Sequence, residues 1–430
     1  MAPGTERDEA AHLAIEAVWR IESARLIAGL ARMTHDVGMA EELAQDALLA
    51  ALEQWPSAGV PANPGAWLMA VGKRRAIDHF RRAETLQRKV SELGRDLGDR
   101  QETFEAEVVE AVDDDIGDDL LRLIFTACHP VLSAEARVAL TLRLLGGLTT
   151  EEIARAYLVP EPTIAQRITR AKKTLAQKQI PYEIPQGQEL APRLASVLEV
   201  IYAIFNEGYS ATAGEQWTRP TLCEEALRLG RILAGLAPDQ PEVHGLVALM
   251  EIQASRMRAR LDAHGKPVVL LEQNRALWDR LAIDRGLAAL RRVEELGGQD
   301  GPYALQAAIA ACHGRAVTAD RTDWERIAGL YERLAKVTPS PVVELNRAVA
   351  VALAFGPKEG LEMVDALEAD GALRNYHLLP SVRGDFLVRM GKLAQAKVEF
   401  ERAAALTRNA SERELLLGRA RELDDAVGGA

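Results

Sequence analysis

The sequence predicts an all-helical chain, two small modules followed by a longer helical-repeat region. Three observations carry that expectation. Apolar residues recur at helical spacing from Ala10 to Gln54, for example Val18, Ile21, Leu26 and Leu30, then Leu43, Ala47 and Leu48. The stretch from Leu148 to Lys178, LTTEEIARAYLVPEPTIAQRITRAKKTLAQK, holds a helix-start signature, a two-proline turn and a second helical pattern. Beyond Gly187 the chain is rich in alanine and leucine, and small residues return at fixed offsets.

The first stretch predicts a helical hairpin or small bundle. Its second helix, AEELAQDALLAALEQW from Ala40 to Trp55, sets Glu41, Glu42, Gln45, Asp46 and Glu53 among apolar positions. An acidic, polar face of this kind is ordinarily solvated. Pro56 opens a loop rich in proline, glycine and asparagine, and NPGAWLMAVGKRRAIDHFRR follows from Asn63 to Arg82. Pro64 suits a helix start, Trp67 supplies a large anchor, and Lys73, Arg74, Arg75, Arg81 and Arg82 gather at the helix end. From Glu92 to Asp119 acidic residues dominate, with a run of three aspartates at 113–115. Such a run repels itself and serves as an extended tether.

The second module opens near Leu120. Ser133 is placed to cap a helix over 134–145, and Gly146-Gly147 stops it. Thr149 and Glu152 form a capping box that starts the next helix. Pro160 and Pro162 interrupt the ladder, and Pro162 fits the first position of a second helix. On that helix Ile164, Ile168, Ala171 and Leu175 make a narrow apolar stripe that must pack inward. The opposite face carries Thr163, Gln166, Thr169, Arg170 and Lys173, flanked by Arg167 and Lys172, with no acidic residue among them. Hydrogen-bonding tips with only positive charge suit a major groove, where polar groups read base edges and cations hold phosphates. A solvated amphipathic helix would present a similar face.

A formal net charge of −11 argues against a general polyanion binder, so any nucleic-acid contact must be local. Cys128, Cys223 and Cys312 form no paired framework and no CxxC, which suits a reducing cytoplasm and core positions. Cys128-His129 and Cys312-His313 are adjacent pairs and not ligand spacings, so no metal or other cofactor is expected. No apolar run is long enough for a membrane span, and the N-terminus lacks a signal pattern. The expectation is a soluble cytoplasmic protein. A nucleophile with a base and a phosphate-cradling glycine loop are both missing, so no enzyme is expected.

The order of these motifs, AEELAQDA, then PGAWLMAVGKRRAIDHFRR, a variable tether, then LTTEEIARAYLVPEPTIAQRITRAKKTL, resembles the extracytoplasmic-function class of bacterial RNA polymerase sigma factors. The resemblance covers residues 10–180. It implies sigma region 2 over 8–85, an acidic linker over 86–118, and region 4 with its helix-turn-helix over 119–180. It implies that Glu42, Gln45, Asp46 and Leu49 face the β′ clamp helices of core RNA polymerase, with the β flap as a further contact. The same resemblance assigns Trp67, Lys73, Arg74, Arg75, Arg81 and Arg82 to the −10 promoter element. Thr163, Gln166, Arg167, Thr169, Arg170, Lys172 and Lys173 fall to the −35 element. Two positions depart from the family. Arg74 stands where most members carry asparagine, adding phosphate affinity. Leu158 stands where most carry glycine, which predicts a turn without a left-handed residue.

After a stiff proline linker at 181–188 comes a helical extension, 189–426. Ala226, Gly230, Leu233 and Pro238 share their offsets with Ile327, Tyr331, Leu334 and Pro339. Ala396, Phe400 and Ala403 repeat them, with Arg408 in the proline's place, and Gly384 and Leu387 precede them. The pattern resembles tetratricopeptide repeats, and an ordinary helical bundle would give the same helix pairs. FNEGYSATAG from Phe205 to Gly214 and ALWDRLAIDRGLAAL from Ala276 to Leu290 fit the repeats poorly. Asn206, Glu207 and Tyr209 either line a pocket or cap a helix and hold a loop. Together these stretches resemble the long extension of one sigma-factor subgroup, which implies a regulatory or supporting role and a protein partner or intramolecular contact through the repeats. A stand-alone helix-turn-helix regulator with a protein-binding scaffold is the alternative, and it leaves the first 85 residues unexplained.

Overall fold

The computed structural model describes residues 3–91, 116–210, 218–263 and 265–428, and among them the chain is helical with no strand. The acidic tether lies, over 92–115, outside the described residues. The chain divides into two compact units, Met1–Val200 and Ile201–Ala430.

The first unit begins with α1 (Pro3–Thr34), α2 (Val37–Ala58) and α3 (Pro64–Ser91), each packed on the other two. Asp36 starts α2, its carboxylate accepting from the N–H groups of Gly38 at 2.7 Å and Met39 at 3.0 Å. Ile27 and Leu30 of α1, Leu43 and Ala47 of α2 and Leu68 of α3 are buried in the bundle. Pro56 does not end α2. The helix runs through it to Ala58, because a proline in the last turn forfeits one ladder bond and the chain closes with the Gly59 N–H on Trp55 O.

Next come α4 (Ile116–Ala127), α5 (Ala134–Leu144), α6 (Thr150–Tyr157) and α7 (Glu161–Gln177). Ser133 caps α5 through Ala136 N–H. The capping box of α6 is complete: Glu152 N–H donates to Thr149 Oγ1 at 3.1 Å, and Thr149 N–H donates to Glu152 Oε2 at 2.7 Å. Ile164, Ile168, Ala171 and Leu175 of α7 are all buried, facing α5 and α6. Complete burial of a branched side chain is worth about 1.5–3 kcal/mol, so this stripe fixes which face of α7 is left outside.

The turn between α6 and α7 departs from expectation. Leu158 adopts a left-handed conformation, φ 50° and ψ 43°, and its N–H closes on the carbonyls of Ala154 and Arg155. An eight-residue helix that must reverse within three residues needs a left-handed residue at its C-cap, whatever side chain occupies it. The helix α8 (Leu190–Tyr209) starts on the first unit: Arg193 donates to Phe125 O at 3.0 Å and Ser196 to Cys128 O at 2.6 Å. These carbonyls at the end of α4 have no partner within their own helix.

In the second unit each helix packs on its neighbours in sequence. These are α9 (Pro220–Leu236), α10 (Pro241–Ala254), α11 (Arg280–Glu295), α12 (Pro302–Arg315), α13 (Trp324–Val337), α14 (Pro341–Ala354), α15 (Pro357–Asp370), α16 (Leu378–Arg389), α17 (Leu393–Leu406) and α18 (Ala410–Gly428). Ala226, Gly230, Leu233, Ile327, Leu334, Gly384, Leu387, Ala396, Phe400 and Ala403 are buried along these contacts. Glu251 of α10 is buried and accepts from Arg231 of α9 at 2.7 Å and Arg285 of α11 at 3.1 Å, joining three helices. Gly245 is small by necessity, since a Cβ there would stand 2.8 Å from Ala304 N.

Leucine in the left-handed region costs about 1–2 kcal/mol, and Leu158 is also 56% exposed, so its side chain returns little. We expect Leu158→Gly to raise the thermal midpoint of unfolding, by a net stabilisation of up to about 1 kcal/mol. A lowered midpoint would show that this turn is not left-handed in solution.

Candidate nucleic-acid interface

The apolar stripe of α7 turns Gln166, Thr169, Arg170 and Lys173 to solvent, all exposed. Thr163 and Arg167 sit half-buried at the edge, Arg167 close enough to Glu135 to help hold that carboxyl below its ordinary value, after the larger effects of hydrogen bonds from Glu135's own backbone and Ser133. Lys172 does not join the outward face. It pairs with Glu41 of α2.

Glu41 is 3% exposed and holds Arg143 of α5 as well, Nε to Oε1 at 2.6 Å, while Gln45 donates to the same oxygen at 2.8 Å. Burial alone pushes this carboxyl up, but Lys172 and Arg143 outweigh it and hold the group below its ordinary 4.5. Arg143 also donates to Leu148 O at 3.1 Å, ahead of the capping box. Two further ties run the same way: Arg32 of α1 reaches Asp119 of α4 at 3.3 Å, and the Tyr182 hydroxyl lies 3.0 Å from Ala28 O and 2.9 Å from Asp119 O.

On α2, Glu42 and Leu49 are exposed, Leu49 at 54%, and Gln45 is half-buried against Glu41. Asp46 accepts from Arg75 of α3 at 3.1 Å. Glu42, Asp46 and Leu49 stand at i, i+4 and i+7 and therefore share a face. On α3, Arg74, Arg81 and Arg82 are exposed, and Lys73 and Arg75 are half-buried. Trp67 meets buried Trp55 edge to face at 5.3 Å and anchors the helix start. The structure thus places Arg75 beside Asp46, and Lys172 beside the base of the α2 face. Sequence reasoning missed Glu41 and Arg143. The available signal was one carboxylate four residues after Val37 and three before Ala44, inside the apolar stripe of α2.

Asn206, Glu207 and Tyr209 do not converge. Asn206 is exposed, Glu207 pairs with Arg219, and Tyr209 is buried, stacked on Phe205 at 5.7 Å with the Arg260 guanidinium 3.8 Å over its ring. Cys128, Cys223 and Cys312 are buried, and burial pushes the Cys128 thiol up to about 11. Among the described residues no helix is long and apolar enough to cross a membrane, and no group of three or more His, Cys, Asp or Glu is placed to hold a metal ion.

A helix-turn-helix with a cationic outer face, joined to a three-helix bundle with a second basic helix, has the build of a DNA-binding protein. Residues 21–85 match sigma-70 region 2, residues 122–175 match sigma-70 region 4, and residues 193–294 match a family of unknown function, DUF6596. A protein of Rhizobium meliloti described as uncharacterized is 44% identical over 385 residues, 89% of this chain and 89% of that one. A probable ECF RNA polymerase sigma factor, SigI of Mycobacterium tuberculosis, is 26% identical over 178 residues, 41% of this chain and 59% of the relative. The ECF RNA polymerase sigma factor SigK of Mycobacterium ulcerans is 28% identical over 150 residues, 34% of this chain and 75% of the relative. No solved structure matches. The chain belongs to the extracytoplasmic-function sigma factors and carries a C-terminal helical extension. Such factors are non-enzymatic, and regions 2 and 4 imply binding to core RNA polymerase and promoter DNA.

The folded chain holds the Glu41 proton more weakly than the unfolded chain does, so its stabilisation is complete above the ordinary carboxylate range and is lost as pH falls through the lowered value. We expect Glu41→Gln to lower the thermal midpoint at neutral pH, since removing one partner of a buried pair costs about 3–5 kcal/mol. The gap to wild type should narrow as pH falls through that lowered value. A gap that stays constant into acid would show that Glu41 is not ionised in the folded chain.

Proposed function

We propose that this sigma factor acts in the cytoplasm, binds core RNA polymerase and directs it to promoters with defined −10 and −35 elements. Residues 8–85 would serve as region 2 and 119–180 as region 4. Glu42, Gln45, Asp46 and Leu49 engage the β′ clamp helices, and the second module meets the β flap. Trp67, Lys73, Arg74, Arg75, Arg81 and Arg82 act at the −10 element and assist melting. Thr163, Gln166, Arg167, Thr169, Arg170, Lys172 and Lys173 act at the −35 element.

One observation carries this reading: on α7 the exposed Gln166, Thr169, Arg170 and Lys173 share an outward face and make no ion pair among the described residues. Cations left without carboxylates on a helix that already buries its apolar stripe are available to phosphates. The polymerase assignment draws support from Leu49, a large apolar side chain left outside on the same face as two carboxylates. The extension, 189–426, modulates activity as a tetratricopeptide-like scaffold. The burial of its small residues between successive helices supports that reading, as does the seating of Arg193 and Ser196 on α4.

The test is in vitro transcription with core polymerase on a library of promoter fragments. We expect Arg170→Ala to weaken binding at the −35 element and to lower the slope of log affinity against log salt by about one. A slope equal to wild type would place Arg170 away from the phosphates. Charge reversal by Asp46→Lys should abolish capture of core polymerase on the immobilised factor. Undiminished capture would remove Asp46 from the clamp-facing surface.

A further inference from the structure

The first unit is closed on itself in a way that conflicts with its work on a promoter. α2 packs directly against both α3 and α7, so near α2 the axes of the two basic helices are at most about 20 Å apart, two interhelix distances of about 8–10 Å. Measured even to the far end of α3, whose 28 residues extend about 42 Å, the separation stays well short of the promoter's own spacing. Elements centred near −35 and −10 lie about 25 base pairs apart, roughly 85 Å along B-form DNA. One chain in this arrangement reaches one element at a time.

The modules meet mainly where α1 packs on α4, and beside that packing the contact between α2 and α7 is small and chemically specific. Among the described residues Glu41 is the only carboxylate paired with Lys172, and it takes Arg143 from the helix behind. We propose that Glu41, Arg143 and Lys172 form an intramolecular clasp that keeps the −35-reading helix against the polymerase-facing helix in the free factor, and that promoter engagement requires it to open. The clasp rests on the sigma-factor reading above. It takes one cation out of the recognition set and turns it toward protein. Glu41 sits one turn before Gln45 and touches it, at the edge of the surface assigned to the clamp helices. Docking there disturbs the carboxylate that retains Lys172, so polymerase binding and release of the reading helix are coupled through a single side chain. The Arg32–Asp119 pair and the Tyr182 hydroxyl, which reaches Ala28 O and Asp119 O, brace the same closed state by joining α1 to α4.

The geometry supplies a reversible test. A Cβ built on Gly38 of α2 would stand 3.9 Å from Lys172 Cβ, inside the 3.5–4.5 Å range of a disulfide. The natural cysteines are buried, so a full-length chain carrying Gly38→Cys with Lys172→Cys should crosslink on mild oxidation. Lys172 is absent from both the reduced and the oxidised form of this chain, so only the change on oxidation, against its own reduced form, is read. With a promoter fragment selected using core polymerase, oxidation should lower initiation on the order of tenfold or more, because the binding-competent fraction has been removed, and reductant should restore it. Failure of the crosslink to form in the folded chain would overturn the clasp, and so would a crosslinked chain that initiates as well as the reduced one. If wild type itself initiates nowhere with core polymerase, the sigma reading fails, and a crosslink in high yield then establishes the apposition of α2 and α7 but strips it of the proposed role.

Discussion

A carboxylate removed from water costs several kcal/mol unless cations follow it inside, and Glu41 imposes that demand on the whole first unit. Its two cations come from α5 and α7, more than a hundred residues further along the chain. The apolar stripe of α7 and this demand agree on one rotation, with its isoleucines and Leu175 toward α5 and α6, Lys172 sideways to α2, and Gln166, Thr169, Arg170 and Lys173 outward. The same demand also places the start of α6, since Arg143 holds Leu148 O next to the capping threonine. The outward face of α7 is thus what remains after packing and charge pairing have taken their shares.

The parts of this that were legible in the sequence are those whose chemistry closes within a few residues. Thr149 with Glu152, Ser133 before α5, and the four-residue apolar stripe of α7 depend only on caps and helical period, and the structure shows each where expected. Leu158 was misjudged because side-chain preference pointed one way and the geometry of a tight reversal the other, and the reversal prevailed. Pro56 was misread as a stop because the cost of proline depends on position in the helix, which composition does not reveal. Glu41 and Tyr182 were illegible for a different reason: their partners are distant in the chain, and nothing local announces a long-range pair. Asn206, Glu207 and Tyr209 looked like a set by adjacency, yet neighbouring helical residues point about 100° apart and took separate partners.

The second unit follows another logic. Each helix packs on the helices immediately before and after it, α10 also on α12, through close approaches such as Gly245 against Ala304 and through buried charge centres such as Glu251 with Arg231 and Arg285. Stability in such an array accumulates from neighbour to neighbour and does not come from one central core. The surface of such an array can therefore be extended or altered pair by pair.

Tyr182 gives the first unit a temporal order. The residue that bridges Ala28 and Asp119 is translated well after both of them, and after the recognition helix itself. On the ribosome α1, α2 and α3 emerge as a local bundle with Glu41 still hydrated, and the second module must fold before any cation reaches it. The long-range ties at Glu41 and Tyr182 can consequently form only after α7 has been synthesised.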